Sequence, residues 1–371
     1  MATAAELELK AVVHQFHYSV APGDAITQQM LLIRNVLKKA GIEGEIFAVE
    51  NRFPERPIRR YSPEAMGDGS LLLLHHSQGN PSLEELLRLP VPCALMYHNI
   101  TPEEFYRHDP YIAHLSHLGR EQLLLLRRRV VATYAASAYN AFELKTLGFG
   151  ECPVLPLVDL SERRPSRAKE KKNGPILFVG RIAPHKNQAL QIKSYYYLRR
   201  IWKDAPELVL VGGGDPFYLR YLKLLTKGLQ LDGNVRFAGK ISAEALAELY
   251  RDARAFLCTS LHEGFCVPLV EAMCAGVPVF ALPLTGAKGT LGGAGLQLLS
   301  RKPHRIAEAL FVTLNRPEAV KAILLGQEQR LKQLAREQTP GRVTELVESA
   351  LAQRIPAIQA IPSKSHHEPR A

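Results

Sequence analysis

Residues 255–273 read AFLCTSLHEGFCVPLVEAM. The opening AFLCTS is an apolar run of strand length, and PLVEAM resumes with helix-forming residues after Pro268. Gly264 and Pro268 argue against one continuous helix, so Glu263 and Glu271 cannot stack on a single helical face. The spacing predicts a strand, a loop and then a helix with Pro268 in its first turn, where its missing N–H is no loss. Glu263 is expected to end the strand and Glu271 to lie near the helix N-terminal turn. Both carboxylates would then open onto one crevice with the free backbone N–H groups of Gly264, Phe265, Cys266 and Val267. Two acids so placed can each hold a vicinal diol, while the N–H groups face phosphate.

The same alternation of short apolar strands and helices runs outward in both directions, the pattern of a parallel sheet covered on both faces. Downstream of residue 176 the strand candidates are PILFVGR, ELVLVGGG, NVRFAGK, AFLCTS, PVFALP and GLQLL. Upstream they are LKAVVHQF, EIFAVE, SLLLLHH, CALMYHN, VVATYAAS and a short CPVLPL, with helices such as AITQQMLLIRNVLKKAG between them. SERRPSRAKEKKNGP at 161–175 is almost devoid of apolar residues and reads as a basic linker. The expected organisation is a first domain over 1–160, a second over 176–340, a helix at 341–354 returning to the first domain, and a disordered tail at 355–371.

At 371 residues the chain exceeds what one core usually supports, which agrees with two domains. No apolar run reaches the roughly 18–20 residues of a membrane span and the N-terminus lacks a signal-like pattern, so a cytoplasmic protein is expected. Five cysteines without C-x-x-C spacing speak against a disulfide framework or a zinc site. Cys258, Cys266 and Cys274 recur every eight residues, yet are expected on different elements, and no metal is expected. A net charge of +11 and a pI near 9.4 point to polyanionic company.

In open α/β sheets ligands bind beyond the carboxyl ends of strands. After PILFVG come Arg181 and Lys186, two cations beside a helix N-terminus, as a diphosphate requires. After ELVLV comes Gly212-Gly213-Gly214-Asp215, whose middle Gly213 is a candidate for close backbone approach. G-x-G-x-x-G is absent between the first strand and helix, as is G-x-x-x-x-G-K-[ST], so neither a nicotinamide fold nor a P-loop is indicated.

Glu263 and Glu271 with seven residues between them, Gly180-Arg181 and Lys186 upstream and PVFALP downstream closely resemble the retaining glycosyltransferases of family 4. The resemblance covers roughly residues 176–296, and extends loosely into the first half through PGDAI at 22–26, MYHN at 96–99 and ASAYN at 136–140. It implies a GT-B fold: two Rossmann-like, doubly wound parallel-sheet domains facing across a cleft. By that resemblance Glu271 holds the nucleotide ribose, Glu263 the hydroxyls of the transferred sugar, and Arg181 and Lys186 the diphosphate. Gly23 lies against the phosphates and His98 faces the sugar from across the cleft. Cys266 stands where many relatives have glycine, Gly289 where they often have glutamate, and His262 where a small residue is usual.

The implied reaction moves a hexose, with mannose a candidate, from a nucleoside diphosphate sugar to the hydroxyl of a saccharide or lipid-linked acceptor in surface polysaccharide or lipid-linked oligosaccharide assembly. No cofactor is expected, because the donor is itself a substrate. An anionic membrane surface is a candidate partner for Arg120 and the Arg127-Arg128-Arg129 cluster, with the protein peripheral on the inner face. Nucleic acid is not expected, since no recognition motif appears. The competing readings are a sugar-nucleotide epimerase, which would need an acid/base pair that is not evident, and a non-catalytic nucleic-acid binder. His14, His17, His75 and His76 read as structural, and KSYYYLRRIWK at 193–203 as a helix burying its rings and snorkelling its charges.

Overall fold

The computed structural model describes residues 11–66, 69–155, 158, 160 and 174–353. The expected tail lies outside these residues, as does nearly all of the expected linker. Among the described residues twelve strands form two six-stranded sheets, parallel throughout. The first contains β1 (Val13–Val20), β2 (Ile46–Asn51), β3 (Ile58–Arg60), β4 (Leu71–His76), β5 (Cys93–Tyr97) and β6 (Val130–Ala135). The second contains β7 (Ile176–Val179), β8 (Leu208–Val211), β9 (Val235–Gly239), β10 (Ala255–Cys258), β11 (Val279–Ala281) and β12 (Leu296–Gln297).

The spatial orders are β3-β2-β1-β4-β5-β6 and β9-β8-β7-β10-β11-β12, so each half reverses direction beside its own first strand. A crevice opens at such a reversal, because the helices after the two central strands leave on opposite faces. The ends of β7 and β10 therefore define the site of the second half, and the ends of β1 and β4 that of the first.

Burial explains why strands such as β7, β8 and β10 read as unbroken apolar runs. β4 is buried at all six positions, the histidines His75 and His76 included. The second sheet is packed on one face around Phe256, Met273 and Leu269, and on the other around Phe178, Tyr195 and Phe280. The helix Pro340–Leu351 inserts Val343, Val347 and Ala350 among Val13, Ile33 and Leu71 of the first half. Tyr134 Oη donates to Leu346 O at 2.6 Å and fixes its position.

Three local expectations need correction. The first strand begins at Val13, after Ala11 and Val12 of LKAVVHQF, whose Leu9 and Lys10 lie outside the described residues. Of CPVLPL, residues 152–155 form only an isolated bridge, Ala135 with Val154, beside Pro153, which has no ladder donor; Pro156 and Leu157 lie outside the described residues. β3, with two exposed arginines in three residues, carries no alternating apolar signal and was not anticipated.

Candidate active site

β10 ends at Cys258, so Glu263 lies five residues past the strand and not at its end as expected. The loop is held from outside: Leu261 N–H donates to His185 O at 2.8 Å, Glu263 N–H to Thr285 Oγ1 at 2.9 Å, and Gly286 N–H to Glu263 O at 3.0 Å. Gly286 is required by this approach, since a Cβ there would lie 2.0 Å from Gly264 O. Among the described residues the N–H groups from Gly264 to Val267 take part in no turn or cap hydrogen bond, which leaves them free to face an anion. The helix Val267–Cys274 follows, with Pro268 in its first turn as predicted. Cys266 is its N-cap residue with φ +74°, a left-handed conformation that explains why glycine suits this position.

The two carboxylates have different partners. Glu263 is buried and accepts a hydrogen bond from Lys186 Nζ at 2.6 Å. Glu271 falls in the second turn of its helix, not the first, and accepts from Tyr250 Oη at 2.9 Å. Lys186 closes the short 3-10 turn Pro184–Lys186, and Asn187 with φ +55° turns the chain into the helix Gln188–Ile201. Burial opposes the charge of Lys186, but the Glu263 carboxylate outweighs it and holds its pKa above the usual value. Arg181 is exposed at the end of β7. The positive field of this corner is felt by His185, whose pKa is pushed well down first by burial and then by Lys186 and Arg181.

The glycine triplet brings its backbone against the β7 loop, with Ile182 N–H donating to Gly213 O at 2.9 Å and Asp215 N–H to Ile182 O at 2.9 Å. The tight positions are the flanking ones: a Cβ on Gly212 would sit 2.0 Å from Gly180 O and one on Gly214 2.1 Å from Ile182 O. At Gly213 it would meet only the flexible side chain of Lys240. Gly23 turns the chain with φ +73° before the helix Ala25–Lys39, is exposed and has open space about it.

The first half meets this site directly. A Cβ on Gly264 would lie 2.3 Å from His98 O, so the two chains touch there backbone to backbone. His262, beside Glu263, is bonded through Nε2 to Asn99 Oδ1. Asn99, itself at φ +83°, donates to Asn140 Oδ1 and to Glu143 Oε2, both at 3.1 Å. Glu143 in turn accepts from Arg120 at 2.8 Å and from Tyr97 Oη at 2.7 Å. Arg120, expected on a lipid-facing surface, is thus tied into the domain contact by Glu143 and Ile100 O. Phe105 and Tyr106 set their rings edge-on to His185, and His108 pairs with Asp215.

His98 follows β5 and its Nε2 lies 2.8 Å from His75 Nδ1. Burial pushes both imidazoles well below their usual pKa. His17 and His76 are likewise buried, bonded to Ser19 O and Ser77 Oγ, and to Gly119 O. Cys258, Glu263 and Cys266 bring two sulfurs and a carboxylate oxygen within 4.8 Å of one another. The chain spacing of eight did not suggest that meeting, because it depends on how the loop folds back. No local sequence pattern marks Tyr250 or Thr285; Asn99, within MYHN, and Asp215, after the glycine triplet, carry no expected role of their own, although Asp215 has an N-cap signature and accepts from Phe217 and Tyr218 N–H.

Residues 160–323 match the family model described as glycosyl transferases group 1. The chain is 34% identical over 111 residues to the O-antigen chain mannosyltransferase RfbU of Salmonella typhimurium, covering 30% of each chain. It is 30% identical over 230 residues to a D-inositol 3-phosphate glycosyltransferase of Geodermatophilus obscurus, covering 55% of this chain and 49% of that one. The chain thus spans between about a third and a half of the length of these curated relatives. Among solved structures it is similar to Anabaena HepE in complex with UDP-glucose, with a TM-score of 0.72 at 16% identity over 91% of this chain and 99% of that one. The fold is GT-B. Among the described residues no helix is long and apolar enough to cross a membrane.

Proposed function

We propose, on the premise that residues 160–323 form a group 1 glycosyl transferase domain, that the protein moves a hexose from a nucleoside diphosphate sugar to an acceptor hydroxyl with retention of anomeric configuration and without a metal ion. The observation that carries this reading is the meeting of Lys186 with Glu263 at the sheet reversal of the second half, beside a run of uncommitted backbone N–H groups. Lys186, Arg181 and those N–H groups of Gly264, Phe265, Cys266 and Val267 hold the diphosphate. Glu263 takes the sugar hydroxyls, Glu271 the ribose, and Gly23, Gly213 and His98 close the site. Mannose as the sugar, and surface polysaccharide or lipid-linked oligosaccharide as the product, are supported by the similarity to an O-antigen mannosyltransferase.

In this reaction the acceptor hydroxyl attacks the anomeric carbon on the face from which the diphosphate departs. As the C–O bond breaks, charge develops on the leaving phosphate, which takes the hydroxyl proton. Fixed cations aimed at that charge supply the catalysis, each worth about 3–4 kcal/mol by analogy with an oxyanion donor. A donor phosphate competes with Glu263 for Lys186, so donor binding frees the Glu263 carboxylate for the sugar. The enzyme acts in the cytoplasm, with the exposed Arg127 and Arg128 directed to anionic lipid carrying the acceptor.

Titration calorimetry with UDP-, GDP- and ADP-sugars, followed by transfer assays with NMR assignment of the product anomer, tests this reading. Transfer with retention that survives EDTA is expected; inversion, or loss of activity on chelation, overturns it. Sedimentation with anionic vesicles at low salt tests the membrane role, and failure to sediment removes it.

A further inference from the structure

Three polar side chains on neighbouring strands of the first sheet form one hydrogen-bonded line. Gln15 lies on β1, His75 near the end of β4 and His98 just beyond β5. Gln15 Nε2 donates to Met30 O at 3.0 Å, Gln15 Oε1 lies 3.0 Å from His75 Nε2, and His75 Nδ1 lies 2.8 Å from His98 Nε2. Gln15 and His75 are 1% and 2% exposed, so water does not substitute for any of these partners.

The line has only one consistent set of protons. A backbone carbonyl can only accept, so the amide nitrogen of Gln15 must face Met30 O and its oxygen must face His75. That oxygen accepts, so the proton of His75 is on Nε2. Nδ1 of the same neutral ring is then a lone pair, and the bond to it must be donated by Nε2–H of His98. Burial, which lowers the pKa of both rings, keeps each at one proton.

We infer that Gln15 and His75 are positioning residues that lock His98 in its Nε2–H tautomer and make its Nδ1 a standing acceptor, so that a substrate hydroxyl bound there must donate to it. The choice of proton is dictated from Met30 O, on the helix Ala25–Lys39, three hydrogen bonds away. This rests on the proposed transfer reaction only for the identity of the hydroxyl; the tautomer is a property of the free protein.

The test uses the full chain with ring-15N-labelled histidine and two-bond proton–nitrogen NMR correlations at neutral pH, His98 being assigned by loss of its signals in His98→Asn. The wild type should show both His75 and His98 as Nε2–H. Gln15→Leu removes the acceptor and should give mixed ring patterns at both histidines. It should also lower kcat on the order of tenfold, the scale of one hydrogen bond to the substrate, with little change in donor KM. His75→Gln restores an acceptor and a donor at a similar separation and should keep the His98 pattern and most of kcat. A wild-type His98 protonated on Nδ1, or ring patterns and kcat untouched by Gln15→Leu, overturns the inference. If the NMR patterns are as expected and no donor supports transfer, the proposed reaction falls and the tautomer lock stands.

Discussion

Lys186 Nζ lies 2.6 Å from Glu263 Oε2, with the two side chains 17% and 8% exposed. A buried pair of this kind is costly to break from one side, because the remaining charge keeps its desolvation penalty without its partner. Lys186→Ala should therefore destabilise the protein by about 3–5 kcal/mol. Glu263→Gln, which preserves shape and leaves a cation able to reach solvent, should cost less. Denaturant midpoints measure both, and equal stability of Lys186→Ala and wild type would exclude a structural share in this contact.

The two acids have different partners and should fail differently. Glu263→Ala is expected to reduce turnover chiefly. Glu271→Ala should also weaken binding of the free nucleoside diphosphate, because it takes away the proposed ribose contact. Tyr250→Phe removes the hydrogen bond at 2.9 Å that orients Glu271 and should weaken nucleotide binding by a smaller factor. Calorimetry with the bare nucleotide separates the cases; identical losses in both acid variants would contradict the division of roles.

Gly264→Ala places a methyl group where His98 O stands, 2.3 Å from the ideal Cβ, and neither backbone can yield cheaply. The two halves should be held apart. Turnover is expected to fall at least about a hundredfold, the scale of a misplaced catalytic group. The melting temperature should change little, and the radius of gyration in solution scattering should rise. Unaltered turnover in this variant would mean that the contact is not part of the active arrangement.

Acid should unfold the protein through its buried histidines. His76 and His262 are lowered to about 4, chiefly by burial, and His17, His75, His98 and His185 are lowered for the same first cause. A group whose folded pKa lies below its unfolded value of 6.5 takes up protons more readily when unfolded. Stability therefore falls as pH drops from about 6.5 toward 4 and is level above that window. Thermal midpoints across this range provide the check, and a flat profile would contradict it.

Cys266→Gly should be tolerated, since it relieves a left-handed non-glycine residue worth roughly 1–2 kcal/mol of strain while losing a small side chain. Gly289→Ala lies in the helix Thr285–Leu291 where an added Cβ meets nothing, and should stabilise by about 0.5–1 kcal/mol. Differential scanning calorimetry reads both, and a clear loss of stability in Gly289→Ala would refute the account of that position.

β7, β8, β10 and β11 of the second sheet were legible as apolar runs closed by glycine, proline or a polar turn, whereas β9, with exposed Arg236, and β12, a partly buried Leu-Gln pair, were marked chiefly by their place in the alternation. β3 was not legible, since an edge strand of three residues with two outward arginines has no period to detect. Arg181, Lys186 and Glu263 could be placed beyond the ends of β7 and β10 from chain spacing and the parallel-sheet rule. Their actual partners could not, because Lys186 and Glu263 are 77 positions apart, and Arg120 and Glu143 meet across a helix packing that no local pattern encodes. The His75–His98 bond depends on the register of β4 against β5, which sets His75 beside Met96.

The helix Pro340–Leu351 has a consequence for the order of events during synthesis. It supplies Val343, Val347 and Ala350 to a core whose other members, such as Val13, Ile33 and Leu71, leave the ribosome long before them. The nascent first half must wait, with that apolar surface open, until the whole second half has been translated. The second half, by contrast, holds nearly all of its own core between residues 176 and 334 and can close first. Folding on the ribosome should thus run against the direction of the chain, and chaperone contact should concentrate on the early-made half.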